Sequence, residues 1–353
     1  MHPVFFRSAD PETDLVAARA GDQEAFTRLV APLRAGLHAH CYRMLGSVHD
    51  ADDAVQDALL RAWRRLVSFE GRSSFRTWLF TIATRTCLDA VAARGRRALP
   101  TDLAPASERA VLDATPAGEV RWLTPYPDAA PDERAERRES IELAFVAALQ
   151  HLPGNQRAAL LLFDVIGFGV AEIAEVMGVT TTSVNSALAR ARRSVAARSG
   201  AAGTSPAVDD RDREARRLAS RFATALEEGD LDAFVALLTD DVTWTMPPLT
   251  AWYAGRDAVA DFALQVPITR CPSWRHALLT ANGQPAVAFY LGGSPSADHE
   301  AWSLTVLAPR EGRIAGIVSF LDPGLFPRFG LPERMPGHAS SGVRPQRGAA
   351  PSA

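Results

Sequence analysis

The sequence predicts a multidomain fold: two all-α domains, first a helical bundle and then a helix-turn-helix, followed by an α+β domain with a curved antiparallel sheet. Three observations predict it. Apolar residues recur at helical spacing through the first two blocks, a proline-rich acidic stretch separates them, and strand-like runs are confined to the last third. The chain has 353 residues, enough for two or three domains. Its 47% hydrophobic and 22% charged residues belong to a globular chain rather than a disordered one.

In the first block (13–98), Phe26, Leu29, Val30, Leu33 and Leu37 share a helical face. Val55, Leu59, Trp63 and Leu66 mark a second helix, and Phe75, Trp78, Leu79 and Ile82 a third. Only short breaks separate them, which predicts a three- or four-helix bundle. Residues 99–139 then carry Pro100, Pro105, Pro116, Pro125, Pro127 and Pro131 without periodicity, as expected of an extended acidic linker. A second helical block follows (140–199), then a short flexible linker (200–208). The last block (209–330) opens with helices at Arg213–Glu227 and Leu231–Leu238. Strands follow at Val242–Met246, Pro285–Leu291, Ala301–Ala308 and Arg313–Leu321, with a helix at Arg256–Val266 after the first of them. The remainder (331–353) reads as a disordered tail.

Charge is unevenly distributed. All 38 basic residues are arginine. Arg61 to Arg97 holds nine arginines against Glu70 and Asp89, whereas 209–330 holds 11 arginines against 16 acids. A basic front half and an acidic back half point to a polyanionic partner for the front alone. Three cysteines are too few for a disulfide framework, so a reducing cytoplasm is expected. Apolar runs such as Ala158 to Phe163 are too short for a membrane span, and the N-terminus lacks a secretory pattern. His38 and Cys41 share a helix face, but without a Cys-x-x-Cys they imply no metal site, and no cofactor is expected.

Two motifs carry chemistry. Val170 to Met177 reads as a short helix, Gly178 as its left-handed cap, and Thr180 or Thr181 as the cap of a second helix. This is helix-turn-helix spacing. The second helix turns Thr181, Thr182, Ser183, Asn185, Ser186, Arg190 and Arg193 outward, groups suited to base edges and phosphates. The plainer alternative is an ordinary helical hairpin. In the first block, Arg72, Arg76, Trp78, Arg85, Arg94, Arg96 and Arg97 interleave aromatics with arginines, which suits unstacked bases and phosphates. For Trp78, burial in the core is the competing reading. The acidic opening of the preceding helix, His49 to Asp57, is either capping or a face for a basic partner.

The stretch Asp50 to Leu66, then Phe69-Glu-Gly-Arg-Ser-Ser-Phe-Arg-Thr-Trp-Leu-Phe-Thr-Ile-Ala83, resembles region 2 of the extracytoplasmic-function sigma-70 factors. Leu152-Pro-Gly-Asn-Gln-Arg157 with the helix-turn-helix resembles their region 4. Gly118-Glu-Val-Arg-Trp-Leu-Thr-Pro-Tyr-Pro127 is similar to a feature of the subgroup with an added C-terminal SnoaL-like domain. The resemblance implies a sigma factor that binds core RNA polymerase and directs promoter-specific initiation by binding and strand separation, with no covalent step. It implies that Asp53, Gln56 and Asp57 dock on the β′ coiled coil, and that region 4 meets the β flap. Phe69 to Ser74 and the helix Thr77 to Arg97 would capture and melt the -10 element, while Thr181 to Arg193 would read the -35 element. Acids of the linker would approach the polymerase channel. Arg85 stands where relatives often carry Asn, which leaves the -10 base preference open.

The last block resembles the cone fold of SnoaL and nuclear transport factor two. Trp244, Tyr253, Phe289, Trp302 and Asp322 are its candidate ligand-pocket residues, for a small apolar ligand. Asp241, Asp257, His276, His299 and Asp322 are its candidate acid-base groups, but no pair of them has a spacing that demands catalysis. The expectation is a regulatory, non-enzymatic domain. The alternative is a cone-fold hydrolase or cyclase fused to a DNA-binding controller.

Overall fold

The computed structural model describes residues 10–128, 142–197 and 208–337, with side chains of the last segment from 213 onward. The first domain contains α1 (Pro11–Arg19), α2 (Gln23–Leu45), α3 (Val48–Arg65) and α4 (Phe75–Arg94). Each start is fixed by a short polar side chain. Asp10, Asp22, Ser47 and Ser74 accept hydrogen bonds from the free N–H groups of their first turns. Gly46 ends α2 at φ 68°, where a side chain would be strained. The apolar stripes read from the sequence close on a main core around Leu37, Met44, Val55, Leu79 and Ile82, and on a smaller one around Ala18, Leu29 and Leu66. The domain opens at Pro11, two residues before the expected boundary, because Pro at the first helical position extends α1.

The second domain holds α5 (Leu143–Gln150), α6 (Gly154–Leu160), which widens into a looser turn at Leu161–Val165, α7 (Val170–Met177) and α8 (Thr181–Ala196). Gly178 takes the left-handed conformation at φ 67°, and Thr180 Oγ1 accepts from Ser183 N at 3.2 Å. The two domains pack together. Arg157, almost fully buried, donates across the boundary to the carbonyl of Met44 at the end of α2. It also bonds Gln150 Oε1 at 2.9 Å and the carbonyls of Gln150 and Leu152, both at 3.1 Å. Orphan carbonyls of two helix ends are thereby satisfied by one guanidinium.

The third domain contains α9 (Val208–Glu228), α10 (Leu231–Ala236), β1 (Leu238–Thr245), β2 (Trp252–Ala254), α11 (Arg256–Ala263), β3 (Ser273–Ala281), β4 (Gln284–Gly292), β5 (His299–Arg310), β6 (Arg313–Phe320) and β7 (Arg334–Met335). The strands form one sheet in the order β2-β1-β6-β5-β4-β3, with β7 added to β5. It is antiparallel at every pairing except β1 with β6, so the sheet is mixed rather than wholly antiparallel. The parallel pair arises because β3 to β6 form a meander, while β1 reaches its far edge through the α11 crossover. One sheet face packs Val287, Phe289, Leu307 and Ile317 against α9, α10 and α11. Ala286, Leu304, Val306 and Phe320 on the other face belong to one apolar cluster with residues of both helical domains.

Three boundaries differ from expectation. Helix α9 starts at Val208, inside the expected 200–208 linker, whose other residues lie outside the described ones. The tail expected to be disordered from 331 is ordered through Gly337, because Arg334 and Met335 pair with Glu300 and His299 of β5. The first part of the acidic linker is not a free strap. From Ala98 to Asp128 it lies against the other domains: Ser107 N and Ala117 N donate to carbonyls of the cone and Thr124 N to that of Gly46, while Ala98 pairs with Trp122 within the linker itself.

The β3–β4 turn is the meeting point. Asn282 and Gly283 have φ of 56° and 67°, the two-residue hairpin geometry that Asn-Gly favours. Asn282 is fully buried, exchanging hydrogen bonds with the Tyr126 backbone at 2.9 and 2.8 Å, and its side-chain Nδ2 donates to the Tyr42 hydroxyl at 2.9 Å. Tyr42 donates in turn to the Thr124 carbonyl at 2.8 Å. Cone, linker and first domain are thus joined by one polar chain with every named partner satisfied.

Candidate nucleic-acid interface

Helix α8 buries Val184, Ala187, Leu188 and Ala191, partly covers Ser194 and Val195, and turns its other positions to solvent. All seven expected contact residues, Thr181, Thr182, Ser183, Asn185, Ser186, Arg190 and Arg193, are exposed. Ser183 bonds the cap Thr180, and Arg193 donates to the Ala189 carbonyl of its own helix. The face therefore offers an Asn amide, hydroxyls and a guanidinium fork to a groove.

The α4 face is in a different state, with its arginines used within the molecule. Arg76 lies over the rings of Phe80 and Phe168 at 5.2 and 5.3 Å and donates to the Ile166 carbonyl at 3.1 Å. Arg85 Nε donates to the Val176 carbonyl of α7 at 3.2 Å. Arg94 and Arg97 share Asp50 at 3.0 and 2.5 Å, and Arg97 also bonds the Trp122 carbonyl of the linker at 2.8 Å. Arg96 donates to His151 at 2.7 Å. Arg72 pairs with Glu70, both exposed. Trp78 is half-buried against Phe69 and Phe75, with ring centroids 4.9 and 5.7 Å away, so part of its ring belongs to the core.

On α3, Asp53, Gln56 and Asp57 share an exposed, acidic face. The neighbouring Asp52 is engaged: His38 Nε2 lies 2.9 Å away, and Arg328 of the cone donates to its other oxygen. Arg328 also donates to His49 Nδ1 at 2.7 Å, and His38 Nδ1 sits 2.8 Å from the Tyr126 hydroxyl. Burial pushes the Asp52 carboxyl up, but the hydrogen bonds from Arg328 and His38 outweigh it and hold the group below the usual carboxylate range. Burial holds His38 below its ordinary value.

The five candidate pocket residues of the cone lie in different surroundings. Trp244, Tyr253 and Phe289 are buried among Phe222, Phe234, Phe262 and Trp274. Trp302 is 42% exposed, because a bulge between Phe289/Ser303 and Tyr290/Ala301 turns it outward. Asp322 caps the short turn after β6, accepting from Gly324 N. The acid-base candidates are equally dispersed. Asp241 pairs with Arg310, Asp257 is exposed in the first turn of α11, His276 pairs with Glu227 at 2.7 Å, and His299 bonds Ser273 and the Ala297 carbonyl. Asn282 and Arg328 are missing from the residues read from the sequence, and Arg157 appears there only as the last residue of the Leu152–Arg157 motif, without a role of its own. Of the two missed, Asn282 left a local trace, the Asn-Gly pair.

Comparison with known proteins agrees with this architecture. Residues 29–97 match the model of Sigma-70 region 2, 142–195 that of Sigma-70, region 4, and 219–317 that of the SnoaL-like domain. ECF RNA polymerase sigma factor SigG of Mycobacterium tuberculosis is 44% identical over 328 residues, covering 90% of this chain and 86% of that protein. SigJ of the same organism is 29% identical over 317 residues, covering 86% and 93%. The crystal structure of SigJ superposes with a TM-score of 0.55 at 23% identity, over 86% of this chain and 99% of that one, so the fold is shared along nearly the whole length. With two sigma modules, an appended SnoaL-like domain and a full-length relative of this identity, the chain belongs to the ECF sigma factors, the sigma-70-family proteins that bind core RNA polymerase and direct it to promoters.

Proposed function

We propose that α8 reads the -35 element in the major groove, that α4 with the loop Phe69–Ser74 melts and holds the -10 element, and that Asp53, Gln56 and Asp57 dock on the β′ coiled coil while the second domain meets the β flap. The cone then regulates initiation by contact, holding a closed form in the cytoplasm until polymerase engages it. One observation carries this reading: the α8 face is open, whereas Arg76 and Arg85 of α4 are bonded to the second domain. A closed chain can present one reading surface but not both, so opening must precede strand capture, whose unstacking cost of a few kcal/mol needs the α4 contacts. A small apolar ligand of the cone would have to displace part of its aromatic packing, so contact is favoured over ligand gating.

Run-off transcription with purified core polymerase on a promoter library tests the reading, comparing the full chain with residues 1–199. Selective initiation is expected from both, with higher output from the shorter protein. Equal output would remove the regulatory role. Absence of initiation together with absence of core binding would remove the site assignments.

A further inference from the structure

The cone is acidic as a whole, yet its first helix carries a basic face. Along α9, Arg213, Arg216, Arg217 and Arg221 are exposed, while Leu218, Phe222 and Leu226 are buried in the cone core. The four arginines recur at i, i+3, i+4 and i+8, which places them on one outward arc. Other arginines of the domain are spent on acids: Arg256 on Asp240, Arg310 on Asp241 and Arg328 on Asp52. Arg216, Arg217 and Arg221 have no ion pair or hydrogen bond among the described residues. Ser220 and Thr224, half-buried beside Arg221, line a shallow recess that ends at Glu228. Of the other acids nearby, Glu227 is taken by His276, and Glu214 lies by Gly312 in the β5–β6 turn. Basic charge on α9 is thus concentrated between Arg213 and Arg221.

We propose that this α9 face grips the phosphate backbone of the duplex upstream of the -35 element, which makes the cone a third, sequence-independent DNA contact. Arginine forks and hydroxyls are the donors that phosphate oxygens take. From Arg213 to Arg221 the helix rises about 12 Å, a length over which duplex DNA presents about seven charges. The covalent chain fixes which duplex is in reach. From Ala196, the end of α8, to Val208, the start of α9, the chain spans at most about 40 Å, or roughly 12 base pairs. Downstream of the -35 element lies the -10 element, assigned above to the first domain, so the free duplex is upstream. The inference rests on that placement of α8. The α8 and α9 faces are exposed together, unlike the arginines of α4 that the second domain holds. A lipid surface fits less well, because α9 keeps its apolar side in the cone core and has none to insert.

Competition binding by the full chain in complex with core polymerase tests this, on promoter fragments that end at the -35 element or extend about 20 base pairs beyond it. Arg216→Gln, Arg217→Gln and Arg221→Gln together are expected to weaken binding of the long fragment roughly tenfold. They should also lower its salt slope by about 2–3, at about 0.9 per lost phosphate contact, and leave the short fragment unchanged. The corresponding triple change to lysine should keep most of the affinity, because a phosphate accepts a point charge. Equal effects on both fragments, or none on either, would overturn the proposal. So would loss of core binding in a pull-down, which would make an acidic protein surface the partner. Crosslinking is the second measurement and does not depend on an affinity. Arg217→Cys with Cys271→Ser, labelled with an aryl azide, should crosslink to DNA within about 12 base pairs upstream of the -35 element. Crosslinks confined to polymerase, or none, also overturn the contact. Absence of promoter preference in the unmodified complex instead overturns the -35 role of α8, and this inference with it.

Discussion

His40 shows how one buried side chain makes folding depend on pH. It is fully buried, with Nε2 2.9 Å from the Thr84 hydroxyl and Nδ1 without a partner. Burial, reinforced by the nearby Arg43 charge, pushes its pKa down to about 3. The unfolded chain therefore binds a proton near the ordinary histidine value, about 6.5, that the folded chain refuses until far lower pH. Stability is full above that value and is lost as pH falls below it. The urea midpoint should drop between pH 7.5 and pH 5.5, and His40→Gln, which keeps a neutral polar group beside Thr84, should flatten that drop. An unchanged slope in the variant would assign the effect to other groups. Arg157 makes the complementary point about charge. Burial pulls its pKa down to about 10, yet its four hydrogen bonds hold two helix ends. Arg157→Met should cost about 1–3 kcal/mol of stability, as read from denaturant unfolding, because it leaves buried carbonyls at the two helix ends without a donor.

At the scale of elements, α8 carries the sharpest expectation. Asn185→Ala and Arg190→Ala should each relax discrimination at one -35 position by about 1–3 kcal/mol, seen as a narrowed preference in competition binding by the polymerase complex. Arg193→Ala should weaken all sequences alike and lower the salt slope by about one. If all three variants weaken every sequence equally, α8 grips phosphates without reading bases. This helix was legible in the sequence because its punctuation is local: Gly178, Thr180 and the stripe of Val184, Leu188 and Ala191 lie within one short window. Strand β3 was not, although the Asn282-Gly283 pair marks its end. Its residues Ser273 to Ala281 are partly covered on both faces, so the alternation that reveals a half-buried strand is missing. Trp302 was misplaced for a related reason. A bulge shifts the period of β5 by one residue, and nothing in the local sequence announces it. The use of Arg76, Arg85 and Arg97 inside the molecule was equally hidden, because their acceptors are backbone carbonyls supplied by distant segments.

The whole molecule is held closed by contacts between parts far apart in sequence, and Arg328 tests whether that closure opposes docking. Its guanidinium bridges the cone to Asp52 and His49 of α3, one residue from the proposed polymerase face. The side chains are 30% and 47% exposed, so the pair contributes about 0.5–1 kcal/mol after solvent screening. That corresponds to roughly two- to fivefold in the ratio of closed to open chains. Arg328→Ala should therefore raise run-off product a few-fold in the full chain, and Asp52→Ala should do the same, although both remove a charge. The double variant should rise no further than the larger single effect, because both substitutions break one link. Asp53→Ala and Asp57→Ala, on the same helix but facing solvent, should act with the opposite sign and lower output by weakening attachment to polymerase. Reversing both charges, Asp52→Arg with Arg328→Asp, should return output toward the starting level. If Asp52→Ala lowers output as Asp53→Ala does, Asp52 belongs to the docking face itself, and its bond to Arg328 is only one of the contacts that shape the closed chain.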